Sequence, residues 1–103
     1  MMYLIIYDIS DNRKRRKVAK LLTGQGYERI QLSVFAGPFS PTSNKELWQH
    51  LQKIKKANSD SEASLFYLMV VEVPVKQFLR IQSIGDSGFN MEEMTGTAST
   101  LWL

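Results

Sequence analysis

The chain has no cysteine, which excludes a disulfide framework, a thiolate nucleophile and any thiolate-held metal. It has a single histidine, His50, far along the chain from Ser10, so no Ser–His–Asp arrangement can be assembled. Glycine and proline are sparse, with 6 and 3 residues, and no glycine-rich phosphate loop is present. Long hydrophobic runs are missing too, and nothing approaches the ~20 apolar residues of a membrane span. The apolar start, Met1 to Tyr7, has no basic segment before it and reads as a strand, not as a signal peptide. The expectation is a soluble, cytoplasmic protein with no membrane association.

What is present is the material of one small domain. The 103 residues are 44% hydrophobic and 22% charged, enough for a core but with a modest buried fraction, so a partner subunit would add burial. The net charge of +3 hides an asymmetry. Six basic side chains fall between Arg13 and Lys20, and residues 38–103 are close to neutral. A local positive field of this kind suits a polyanion, although a solvated helix face would carry the same pattern.

Periodicity divides the chain into elements. Met2 to Tyr7 is an apolar strand, followed by the polar turn Asp8-Ile9-Ser10-Asp11-Asn12. Val18, Leu21 and Leu22 recur at helical spacing between Arg13 and Gln25, with Arg15 on the Val18/Leu22 side and Gly24 and Gly26 at the exit. Glu28 to Phe35 alternates, so it reads as one strand with Ile30, Leu32 and Val34 on one face and Arg29, Gln31, Ser33 and Phe35 on the other. A second helix is expected from Pro41 or Thr42 to Ala57, capped by Ser40 or Ser43, with Leu47, Leu51 and Ile54 as its stripe. Leu65 to Val71 reads as a buried strand, Lys76 to Leu79 as a helical turn, and Arg80 to Ile84 as a fourth strand.

This order predicts an α+β fold, a ferredoxin-like βαββαβ sandwich over residues 1–85 with a tail over residues 86–103. Two helices cover one face of such a sheet. The first strand and the Leu65–Val71 run are apolar on both parities, so a second copy dimerising through the sheet would cover the other face.

Few residues could carry chemistry. Asp8 closes an apolar strand, which places its carboxylate at the sheet's rim. It either bonds turn amides or holds a hard cation such as Mg²⁺, which needs only one or two protein carboxylates when water and phosphate complete its shell. A two-fold axis near this strand end would pair two copies of it. Ser10, Asp11 and Asn12 suit helix capping. Tyr7 could stack on a base, order the site or fill the core. Arg29 and Phe35 on one strand face could grip phosphate and base, or line a subunit interface. His50, beside Leu47, Leu51 and Ile54, reads as a packed residue.

Tyr7-Asp8-Ile9-Ser10-Asp11, then Arg15-x-Lys17-Val18, then Gly26-Tyr27-Glu28-Arg29-Ile30-Gln31-x-Ser33-Val34-Phe35-x-Gly37, closely resemble the CRISPR-associated protein two family. Similarity continues more loosely from Phe66 to Gly85. The resemblance implies a ferredoxin-like homodimer whose final segment adds a strand to the partner's sheet, here through Ala98–Leu103. It also implies a metal-dependent endonuclease acting on single-stranded RNA or double-stranded DNA. Its Mg²⁺ or Mn²⁺ would be held between two copies of Asp8, the catalytic and metal residue. Tyr7, Arg15, Lys17, Arg29 and Phe35 correspond to the family's supporting or nucleic-acid-binding positions; Lys17 keeps a charge that some relatives supply with arginine. The family's partner is the CRISPR integrase in spacer acquisition. The same resemblance implies a second role without catalysis, a DNA-binding adaptor that bridges integrase dimers. A plain ferredoxin-like RNA-binding or regulatory module would have no need of the strand motif from Arg29 to Phe35.

Overall fold

A computed structural model describes residues 1–58 and 65–85. The elements are β1 (Met2–Ile9), α1 (Asn12–Gly24), β2 (Glu28–Gln31), β3 (Val34–Gly37), α2 (Lys45–Lys56), β4 (Phe66–Val73) and the short α3 (Val75–Phe78). The sheet order is β2-β3-β1-β4, and every neighbouring pair is antiparallel. This is the ferredoxin-like βαββαβ arrangement. The tail over residues 86–103, and with it strand addition through Ala98–Leu103, lies outside the described residues.

Two of the four strands differ from the expectation. Glu28 to Phe35 is not one strand but the beginning of a hairpin, with Leu32 and Ser33 in the turn. Alternation is blind to chain reversal, and this turn contains no Gly, Asn or Pro to mark it. A register shift between Arg29 and Gln31 and the reversal together break the single-face reading. Leu32 stands 80% exposed, while Phe35 is fully buried. The segment expected to be a strand, Arg80 to Ile84, contains none: Arg80 N–H donates to the Gln77 carbonyl and Ile81 N–H to that of Phe78, and residues 81–85 follow without ladder pairing. The hairpin thus supplies the strand that this segment does not.

Both main helices pack on one face of the sheet. Ile5, Tyr7 and Ile9 of β1 meet Val18 and Leu22 of α1 and Leu47, Leu51 and Ile54 of α2. Residues on successive strand positions alternate faces, so Met2, Leu4, Ile6 and Asp8 lie on the other side. There α3 turns back and buries Phe78 against Met2 and Ala36. It covers only one end. Tyr67, Met69 and Val71 of β4 remain 54%, 39% and 38% exposed.

The helix ends follow from local chemistry. Asp11 caps α1, its Oδ1 accepting from the Lys14 N–H at 2.9 Å. Asn44, rather than Ser40 or Ser43, caps α2 through Oδ1 and the Leu47 N–H at 3.1 Å. Pro41 to Ser43 form a turn before it, so the helix begins later than its composition suggests. His50 is exposed rather than packed. Trp48, on one flank of the Leu47/Leu51/Ile54 stripe, packs against the core, while His50 stands on the other flank, which faces α1.

Candidate metal-binding strand end

Asp8 sits on β1 opposite Tyr67 of β4, exposed at the sheet's rim on the face away from the helices. The backbone around it is held from three directions. On the β3 side, Tyr7 N–H donates to the Ser33 carbonyl at 3.0 Å, and the Tyr7 phenol donates to the Leu32 carbonyl at 3.2 Å. On the β4 side, Ser10 N–H donates to the Leu65 carbonyl at 3.0 Å, and Leu65 N–H donates back to Ser10 Oγ at 2.7 Å. From α1, Arg15 Nη1 donates to the Ile9 carbonyl at 2.9 Å and Nη2 to Asn12 Oδ1. The capping work of the turn belongs to Asp11. The Lys14 N–H on Asp11 Oδ1 holds that carboxyl below the ordinary aspartate range, and the charges of Lys14 and Arg13 act in the same direction against a partial loss of solvation. Asp8 is therefore not the turn's capping carboxylate.

The supporting residues fall into three places. Tyr7, Phe35 and Arg29 are brought together. The Tyr7 and Phe35 rings stack with centroids 6.3 Å apart, and the Arg29 guanidinium lies over the Phe35 ring, 5.4 Å from its centroid. Arg29 Nη2 also donates to the Leu32 carbonyl at 3.1 Å. Arg29 and Phe35 share a face, as alternation suggested, but Phe35 is not exposed on it. Phe35 belongs to the core on the helical side, and Arg29 covers it. Arg15 holds the end of β1 immediately after Asp8. Lys17 joins neither group; it lines a cleft between α1 and α2.

The donor chemistry at Asp8 fits a hard cation, being one exposed carboxylate on a rigid frame. Among the described residues no cluster of three or more His, Asp or Glu side chains could hold a metal; water, substrate phosphate or a second copy of the chain could complete a shell around Asp8. Three features here escaped sequence reasoning. The Leu32 carbonyl collects two side-chain donors, and the Ser10–Leu65 pair clasps the turn to β4; nothing local signals either contact. Lys14 is buried, its ammonium donating to the Lys55 carbonyl at 2.8 Å. Its position four residues before Val18 placed it on the core stripe.

The sequence profile of the family described as CRISPR associated protein Cas2 matches residues 1–81. The CRISPR-associated endoribonuclease Cas2 3 of Synechocystis is 45% identical over 60 residues, 58% of this chain and 64% of that protein, so the match spans just under two thirds of the relative's length. A CRISPR-associated endonuclease Cas1/endonuclease Cas2 fusion of Thermoproteus tenax is 39% identical over 61 residues, 58% of this chain and 23% of the fusion. The crystal structure of Streptococcus pyogenes Cas2 at pH 6.5 superposes with a TM-score of 0.62 at 24% identity, covering 82% of this chain and all of that one. That last likeness concerns the fold.

Proposed function

Because this chain belongs to the CRISPR-associated protein Cas2 family, we propose that it is a CRISPR adaptation protein with metal-dependent endonuclease activity on phosphodiester bonds. The observation that carries the reading is Asp8, an exposed carboxylate at a strand end clasped by Ser33, Leu65 and Arg15. Paired across a homodimer, two copies of Asp8 would hold Mg²⁺ or Mn²⁺. That ion, when bound, would neutralise the scissile phosphate and acidify an attacking water. The chain's own residues position this centre. Tyr7 fixes β1 against the β2–β3 turn, Arg15 fixes the turn into α1, and Arg29 with Phe35 supports the hairpin beside them. The partly uncovered apolar face of Ile6, Met69 and Val71 supports a dimer through the sheet.

Single-stranded RNA and double-stranded DNA are both candidate substrates. The experiment is cleavage of each by the purified chain with Mg²⁺, with EDTA, and by Asp8→Ala, together with the mass from analytical ultracentrifugation. Cleavage that needs Mg²⁺ and falls to background in Asp8→Ala is expected, at twice the chain mass. Cleavage unchanged in the variant, or a mass of one chain, would overturn the shared-metal reading.

The second reading is an adaptor that bridges dimers of the CRISPR integrase without cutting. The lack of a cluster of three or more candidate ligands among the described residues favours it, as does the relative named as a Cas1/Cas2 fusion. Spacer acquisition that persists with Asp8→Ala would select it.

A further inference from the structure

The two rings expected to meet a nucleobase, Tyr7 and Phe35, are buried on the helical side of the sheet. The open face beside Asp8 carries a different one. In the antiparallel β1–β4 ladder Asp8 pairs with Tyr67, and directly opposed residues project from the same face with Cβ atoms about 4.5–5.5 Å apart. Phe66 and Leu68, the neighbours of Tyr67 on β4, pack against the helical core. Tyr67 between them therefore turns to the other face, where it is 54% exposed. Of the aromatic side chains among the described residues, only Phe39 is comparably exposed. Phe39 lies past Gly37, which pairs with Tyr3 at the opposite end of β1. Met69, two residues on from Tyr67, continues the same face as apolar surface.

We propose that Tyr67 is a substrate-contacting residue of the Asp8 centre, its ring stacking on an unpaired base of the strand whose phosphate lies at Asp8. An aromatic ring on an open sheet face takes any base, because every base has a π-face. A base inside a duplex is already stacked and shows only its edges in the grooves, so the ring separates unpaired nucleotides from paired ones. Arg15 and Arg29 both stand on the helical side, where they brace the Ile9 and Leu32 carbonyls. Among the residues tied to this strand end, Tyr67 is thus the one placed to reach a base on the face of Asp8. Its register is pinned nearby: Ser10 and Leu65, the next pair toward the strand end on that face, exchange hydrogen bonds of 3.0 and 2.7 Å. A slip of one residue would turn Tyr67 to the helical face. The inference rests on the nuclease reading for the phosphate at Asp8, whereas the stacking itself needs no cleavage. A dimer through the sheet that leaves Asp8 reachable at the rim leaves its cross-strand neighbour reachable too.

The test titrates the full chain, in EDTA, into a single strand whose central bases are 2-aminopurine, a base whose fluorescence falls when it stacks. Tyr67→Leu is expected to lose most of that fall and to weaken binding by about tenfold. Tyr67→Phe, which keeps the ring, should retain both. In cleavage with Mg²⁺, Tyr67→Leu should raise KM and leave kcat nearly unchanged, as removal of ground-state binding does. A strand without bases on either side of the cut should lower the unaltered chain to the level of Tyr67→Leu, and the variant should lose little more. The thermal melt and the sedimentation mass should be the same for all three chains. Unchanged fluorescence and affinity in Tyr67→Leu would overturn the proposal, and so would a Tyr67→Phe as weak as Tyr67→Leu. An equal loss of duplex binding would overturn it too, and a fall in sedimentation mass would assign Tyr67 to the subunit interface instead. Absence of Mg²⁺-dependent cleavage with the fluorescence change intact would count against the nuclease reading and leave the stacking contact standing.

Discussion

The Tyr7 phenol donates its hydrogen bond to the carbonyl of Leu32, 25 residues away, at 3.2 Å. Through that contact the strand that carries Asp8 near its end is braced by a hairpin turn that has no Gly, Asn or Pro of its own. Tyr7 therefore acts through geometry, with its ring in the core and its hydroxyl on the turn. Tyr7→Phe keeps the ring and removes the bond. It should cost about 0.5–1.5 kcal/mol in a urea melt, and it should reduce Asp8-dependent cleavage more than single-strand binding in EDTA.

Phe35 gives a sharper contrast. A residue that stacked on a base would be dispensable to folding. This one is fully buried between the Tyr7 ring and the Arg29 guanidinium. Phe35→Ala should lose about 3–5 kcal/mol of stability, and Phe35→Leu distinctly less, measured by chemical denaturation. An alanine variant as stable as the parent would return Phe35 to a direct contact with substrate.

Gly37 lies where β3 passes under the Tyr27 ring. A Cβ placed on it would stand 2.7 Å from the ring's Cδ1, and the ring cannot swing aside freely because its hydroxyl donates to the Phe39 carbonyl at 2.8 Å. Gly37→Ala should cost about 1–3 kcal/mol through this overlap. Combining it with Tyr27→Leu should give less than the sum of the two single effects, as expected for residues in direct contact. Additive losses would show that the clash is not the cause.

Acid should loosen the start of α1 through Asp11. Its carboxyl is held below the ordinary aspartate value of 3.8 by the Lys14 N–H. A lowered folded-state pKa means that the stabilisation is fully present above the ordinary value and is lost as pH falls through the lowered one. Asp11→Asn keeps a capping oxygen but cannot titrate. It should flatten the acid limb of melting temperature against pH without abolishing the helix. An unchanged acid limb would assign the pH dependence to other carboxylates.

The element positions were legible wherever they depend on local patterning. The Val18/Leu22 and Leu47/Leu51/Ile54 stripes reflect a helical period, and β1 and the Leu65–Val71 run are continuous apolar stretches; a short window of chain sets each by itself. The strand-end location of Asp8 is of the same kind, since an acidic residue closing an apolar strand has to emerge at the rim. The ferredoxin-like arrangement was reached with one strand misplaced, because residues 28–37 form two strands where one was expected and the Arg80–Ile84 segment forms none. Tertiary structure decided the rest. The reversal at Leu32–Ser33 is held by donors from Tyr7 and Arg29, and a contact across 25 residues leaves no local trace. Phe35 keeps the face it shares with Arg29, its partner across the hairpin, but that face is the one the helices cover, so Phe35 belongs to the core. His50 is exposed because it stands at the edge of the α2 stripe and lines the cleft toward α1 instead of entering the core. The sequence by itself determined that basic residues cluster and that Asp8 ends a strand. Only the packing of two helices on one face of the sheet placed that positive charge on the side away from Asp8.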